Sequence, residues 1–251
     1  MSAQHLYIYI CVFSKNIWTM NRNFIKKNDI INVGPNSNLL KAYKTQYSKL
    51  SLLQKEVSIG LILGDAYLYT RNNAKSFAIK FEWGNKSKDY IHHVYDIFDE
   101  FILRPPVLYK RVNINNNIVY TWRMETFTSI AFCELGLLFI RNNRKSILKN
   151  IVFNHLTPRG LAYWYMDDGN LNYYKGNRYL KDMTCVLNTQ GFNVEEVGIL
   201  IDELNNKFKL DCYMSFNKIK PIIVIPSKSY NLLYELISPY MINHFKYKLG
   251  C

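Results

Sequence analysis

The stretch "SIGLILGDAYL" at residues 58 to 68 places apolar residues at helical spacing and ends the run on a carboxylate, Asp65. The C-terminal end of a helix already carries partial negative charge from its unpaired carbonyls, so an acid there calls for a compensating cation. A second run, "LAYWYMDDG" at 161 to 169, ends the same way on Asp167 and Asp168. Asp65 and Asp168 stand 103 positions apart. That offset carries the strand-like "IVYTW" (118 to 122) onto "PIIVI" (221 to 225), and the helical stretch beginning near Phe127 onto the one beginning at Tyr230. It also carries Lys145 onto Lys248, so the chain reads as an internal duplication.

Within each copy the order is an apolar helix ending in acid, a hairpin, a helix, a second hairpin and a last helix. In "SFAIKFEW" (76 to 83), Phe77, Ile79, Phe81 and Trp83 alternate with Lys80 and Glu82, the pattern of a strand with one dry and one wet face. Residues 88 to 102 place Ile91, Val94, Tyr95, Phe98 and Ile102 on one helical stripe, and residues 194 to 208 do the same with Val194, Val197, Ile201, Leu204 and Phe208. These stripes read as packing faces. Hairpins are expected from 107 to 112 with 118 to 123, from 171 to 175 with 178 to 189, and from 212 to 217 with 221 to 226. The expected fold class is α+β: two αββαββα repeats, at 28–150 and 151–251, after a leader or upstream extension at 1–27 that lies outside the fold.

A chain of 251 residues, 49% of them hydrophobic, has enough apolar material for one generous core or two modest ones. Thirty-two Lys and Arg against 19 Asp and Glu give a net charge of +13, a field that attracts a polyanion such as nucleic acid. The five cysteines are scattered and never form a C-x-x-C pair, which argues against a disulfide framework and a zinc site. The early apolar stretch "LYIYICVF" (6 to 13) is too short to span a bilayer, so no membrane role is expected. The five histidines are isolated or lie amid stripe residues, and no G-x-S-x-G is present, which disfavours a histidine-based nuclease or hydrolase.

"GLILGDAYL" and "LAYWYMDDG", one per copy, resemble the two signature helices of a single-chain LAGLIDADG homing endonuclease, and the likeness runs from about residue 26 to Leu249. Three departures stand out: Ala66 closes the first motif where the family has Gly, Leu63 and Met166 replace an acid, and Tyr163 stands where the second motif has Gly. Tyr163 is expected to hinder a close helix crossing that Gly60 and Gly64 allow on the partner helix. The resemblance implies signature helices packed about a pseudo-two-fold axis, with Asp65 and Asp168 meeting below two antiparallel sheets that form a DNA-binding saddle. Two carboxylates at two carbonyl-rich helix ends make a hard-cation site. The resemblance implies the same metal site, with Mg2+ as the cofactor, Mn2+ as its substitute, and the carbonyls of Gly64 and Asp167 as further ligands.

Lys145 and Lys248 are then expected beside the scissile phosphates as catalytic partners of Asp65 and Asp168. The wet faces of the hairpins offer Lys80, Glu82, Arg111, Asn172, Lys175, Asn217 and Lys218 for base and backbone contacts in double-stranded DNA. Asn36 and Ser37 in "GPNS" offer a backbone contact or a helix cap. Because the copies share a plan but not a sequence, a monomer suffices and the target is expected to be long and non-palindromic. The resemblance, with codon-biased composition, implies the mitochondrial matrix. The rival readings are an intron RNA maturase and a non-catalytic DNA-binding protein on the same scaffold.

Overall fold

The computed structural model describes residues 24–173 and 183–250. They fall into two compact units that divide between Tyr47 and Ser48. In the first unit, α1 (Asn38–Gln46) starts at Ser37, whose hydroxyl accepts the Leu39 N–H at 3.1 Å. Gln46 clamps the main chain of Ile25 through two hydrogen bonds, of 2.8 and 3.0 Å, so residues just inside the expected leader are tied to this helix.

The second unit holds both repeats. Helix α2 (Leu52–Leu63) opens with a reciprocal cap between Ser51 and Gln54 and is buried all round from Val57 to Leu63. A helix that is apolar on every face belongs in the middle of a fold. Strands β1 (Tyr67–Tyr69), β2 (Ala78–Gly84), β3 (Val107–Val112) and β4 (Ile118–Glu125) follow, with α3 (Lys88–Ile97) between β2 and β3. The copy closes with α4 (Cys133–Phe139), which starts after a 3-10 turn and later than the expected Phe127. A short ribbon then pairs β5 (Ile140–Arg141) with β6 (Arg144–Lys145).

The second copy opens with α5 (Ile151–His155), whose first amides donate to the Glu203 carboxylate. Helix α6 (Pro158–Asp168) has Thr157 as its cap and Pro158 in its first turn, where the missing N–H costs nothing. Then come β7 (Gly169–Tyr173), β8 (Met183–Leu187), α7 (Val194–Phe208), β9 (Tyr213–Asn217), β10 (Lys220–Ile225) and α8 (Tyr230–Ile237). The α7 span is the one the periodicity gives, although Val194 is exposed and Leu200 joins the buried face.

The duplication is visible in the sheets. The first runs β1-β2-β4-β3 and the second β7-β8-β10-β9, the same order in both copies and antiparallel throughout. In β2, Ile79, Phe81 and Trp83 are buried while Lys80 and Glu82 are not, as the alternation requires.

Candidate active site and nucleic-acid interface

Helices α2 and α6 approach so closely that glycine is obligatory. A Cβ on Gly60 would lie 2.0 Å from the Gly160 carbonyl oxygen and 3.0 Å from the Tyr163 Cβ. One on Gly64 would lie 2.6 Å from Asp167 Oδ2. One turn before Gly60, Glu56 Oε2 accepts from Arg159 Nη1 at 3.0 Å. Positions 56, 60 and 64 therefore meet 159, 163 and 167, and each pair is separated by the repeat offset of 103. Register mates touch only on a symmetry axis, so the pseudo-two-fold runs between these helices. Tyr163 does not obstruct the crossing, because Gly60 faces its Cβ and its hydroxyl is drawn off to His93 Nε2 at 2.6 Å.

The two acids stand at the lower ends of this pair. Asp168 is the last residue of α6, and Asp65 lies just past α2. Part of the compensation at these ends comes from the chain itself. Lys145 Nζ donates to the carbonyls of Ile62 (2.9 Å) and Gly64 (3.0 Å), and Lys248 Nζ donates to those of Met166 (2.6 Å) and Asp167 (3.1 Å). Each ammonium thus caps the terminal carbonyls of its own copy's helix. The lysines reach equivalent places from unlike structure, since Lys145 is on β6 and Lys248 is on a 3-10 helix, Asn243–Leu249. The Gly64 and Asp167 carbonyls expected to ligate metal are the ones these lysines contact.

The electrostatics tie five groups together. Desolvation, reinforced by the charge of Asp65, pushes the Asp168 carboxyl up to about 7 against the pull of Lys145, the Trp164 indole and Lys248. Asp65 is raised by desolvation, opposed by Lys145 and Lys248, and Asp167 is raised well above the carboxylate range by desolvation and by Asp65. Both lysines are lowered by desolvation, with all three acids opposing. Hard oxygen donors that burial makes reluctant to ionise, and that repel one another, suit a divalent cation. Among the described residues no group of three or more His, Cys, Asp or Glu side chains could hold a metal, so an ion shared by Asp65 and Asp168 would draw on water or phosphate oxygens. A cavity of about 240 Å³ lies on the first repeat's side, lined by Asp65, Lys145 and their neighbours and not by Asp168.

On the wet face of the first sheet Glu82 gathers three cations. Arg123 Nη2 lies 2.8 Å away, Lys80 Nζ 3.4 Å, and Arg111 Nε 4.0 Å. Desolvation works against this carboxylate, but the Arg123 hydrogen bond and charge, with Lys80 and Thr121, hold it below the usual range. The structure brings Lys80, Glu82 and Arg111 together, and Arg123, which the sequence reading does not include, joins them. The alternation of Thr121, Arg123 and Glu125 in β4 was the signal for it, and the cross-strand pairing of Arg123 with Glu82 makes it concrete. Arg123 also lies over the Tyr109 ring, 5.1 Å from its centroid.

In the second sheet Asn172 is exposed and accepts from Asn170 at 2.6 Å. Asn217 ends β9, and Lys218 takes a left-handed turn conformation with φ of 58°; both are exposed. Lys175 lies outside the described residues. Ser37 serves as a helix cap, and Asn36 is exposed. No described helix is long and apolar enough to cross a membrane.

Two sheets of one plan, hung on a crossed pair of acid-tipped helices with a lysine at each tip, define a two-repeat nuclease scaffold. A sequence model described as the LAGLIDADG DNA endonuclease family matches residues 55–233, and the chain belongs to that family. It is 49% identical over 92% of its length, and 98% of the relative's, to a probable intron-encoded endonuclease from Wickerhamomyces canadensis. The solved structure of the homing endonuclease I-WcaI bound to its DNA recognition sequence superposes with a TM-score of 0.83 at 49% identity, covering 90% of this chain and 98% of that one. A cytochrome b mRNA maturase from Debaryomyces hansenii is 26% identical over 99% of this chain and 88% of its own.

Proposed function

We propose that this protein is a site-specific DNA endonuclease that makes a double-strand break in a long, non-palindromic target by divalent-metal-dependent phosphodiester hydrolysis, and so promotes the homing of an intron. The observation that carries the reading is the coupled cluster of Asp65, Asp168, Lys145 and Lys248, one acid and one lysine from each repeat. Asp65 and Asp168 are the residues that would hold the ion. When bound, magnesium, or manganese in its place, supplies Lewis acidity at the phosphodiester and charge for the leaving oxygen.

The chain's own groups do the rest. Lys145 and Lys248 keep an ammonium fixed at each helix end, where it offers charge to a phosphate in the transition state. The wet faces of the two sheets supply side chains that read base edges, with Arg123 and Glu82 held in place before DNA arrives. Because both repeats lie in one chain, a monomer holds a full site, and two unlike sheets fit a target without a palindrome. The mitochondrial matrix remains the proposed location.

The maturase relative supports a second reading, assistance to intron RNA, on the same scaffold. Retention of both acids and both lysines favours cleavage, since RNA chaperoning has no need of them. The deciding experiment incubates the purified protein with a randomised duplex DNA library, with and without magnesium, and sequences the ends produced. Discrete ends that require the ion support the endonuclease, and intact DNA under both conditions refutes it.

A further inference from the structure

Asp65 has an amide problem that Asp168 does not. At the end of α2 the Gly64 N–H still reaches the Gly60 carbonyl at 3.0 Å, and the Ala66 N–H reaches back to the Leu61 carbonyl at 2.9 Å. The Asp65 N–H between them donates to a side chain in the other repeat, Asp167 Oδ2, at 3.2 Å. Asp168, by contrast, is still inside its helix. The Asp65 N–H has left the helix ladder on an exposed stretch, and this contact ties the backbone of the first acid to the other repeat.

Asp167 is itself held. Its Oδ1 accepts from the Trp83 indole N–H at 3.2 Å. The geometry is one-sided by necessity. Positions 64 and 167 are register mates on the pseudo-two-fold axis, where there is room for one side chain, and a Cβ on Gly64 would strike the Asp167 Cβ at 2.7 Å. Glycine at 64 therefore admits the carboxyl, and no reciprocal contact can run from the first repeat to Asp168.

We propose that the side chain of Asp167 is a positioning residue: it reaches across the pseudo-two-fold axis to orient Asp65, and so supports one of the two strand cleavages more than the other. The strand preference rests on the endonuclease reading above, whereas the orienting role does not.

The test uses 15N-labelled full-length protein and two variants. In Asp167→Ala, hydrogen exchange at the Asp65 amide should accelerate about tenfold, the equivalent of one lost hydrogen bond. The Trp83 indole resonance should move as well, and the melting temperature should fall, because the buried Trp83 N–H loses its acceptor. On the target recovered from the library, single-turnover cutting of one strand should slow about tenfold more than the other, while metal-free DNA affinity stays near that of the parent. Asp167→Asn keeps an oxygen for the Asp65 N–H and should restore most of the amide protection and of the strand balance. Unchanged Asp65 exchange in Asp167→Ala, or equal slowing of both strands, overturns the proposal. If the parent protein cuts no DNA, the endonuclease reading fails, and the exchange arm alone decides the orienting role.

Discussion

Glu56 and Arg159 occupy the same position in the two repeats, 103 residues apart, and form an ion pair of 3.0 Å with each other. Identical repeats would bring identical residues together there. Instead every axial pair is complementary: an acid with a base, Gly60 with Tyr163, Gly64 with Asp167. The two halves are fitted to each other and not to copies of themselves.

Reversing one charge of the axial pair tests that fit. Glu56→Arg should destabilise the protein by about 1 kcal/mol, a modest figure because both side chains remain partly exposed. Glu56→Arg with Arg159→Glu should recover only part of the loss in a denaturant titration, because Arg159 also lies over the Tyr240 ring at 5.0 Å. Full additivity of the two single effects would show that the pair is not coupled.

Gly60→Ala probes the crossing itself. A methyl group 2.0 Å from the Gly160 carbonyl oxygen forces the helices apart, and a cost of about 2 kcal/mol or more is expected in thermal or chemical unfolding. A neutral effect would contradict the close approach.

Asp65→Asn and Asp168→Asn should each abolish double-strand cleavage while leaving binding to the selected DNA nearly intact. Lys145→Ala and Lys248→Ala should slow cleavage of one strand more than the other, each favouring the opposite strand. Gel-shift and strand-labelled cleavage assays check both. Full cutting by either Asp variant would remove the shared-metal assignment, and equal strand rates in both Lys variants would remove the lysine roles.

The raised carboxyl of Asp168 fixes the sign of a pH effect in metal-free protein. The unfolded chain gives up this proton near the ordinary value of 3.8, whereas the folded chain holds it until about 7. Between those values the folded state binds more protons, so this residue lowers stability as pH rises through the window. Asp168→Asn should therefore raise the melting temperature of apo protein at pH 8 and change it little at pH 4. The opposite trend would show that the carboxyl ionises readily in the fold.

Binding to the selected duplex should weaken steeply with salt, with the logarithm of affinity falling linearly against the logarithm of salt concentration, because bound phosphates release counterions. The net charge of +13 leads to this expectation, and a flat response would point to a different partner.

The α7 helix was legible in the sequence because periodic burial writes itself into residue order, and the offset of 103 alone matched Asp65 with Asp168 and Lys145 with Lys248. Elements end earlier, or begin later, than the pattern along the chain alone suggests. The stripe over 88 to 102 ends as an α-helix at Ile97, and the stretch expected from Phe127 is helical only after a 3-10 turn. Arg123 is not singled out by its own strand, because its significance lies in a neighbour on another strand, Glu82, which only the sheet register supplies.

By itself, the sequence determined the duplication, the element order and the chemistry available at each helix end, since each depends on composition and spacing along one chain. The tertiary structure alone decided which groups meet: that Lys145 and Lys248 cap carbonyls from different local frames, that Tyr163 finds its space opposite Gly60, and that Asp167 serves the amide of Asp65. Such contacts depend on distances between segments a hundred residues apart, which are set by how two whole repeats close on their common axis and not by any local preference.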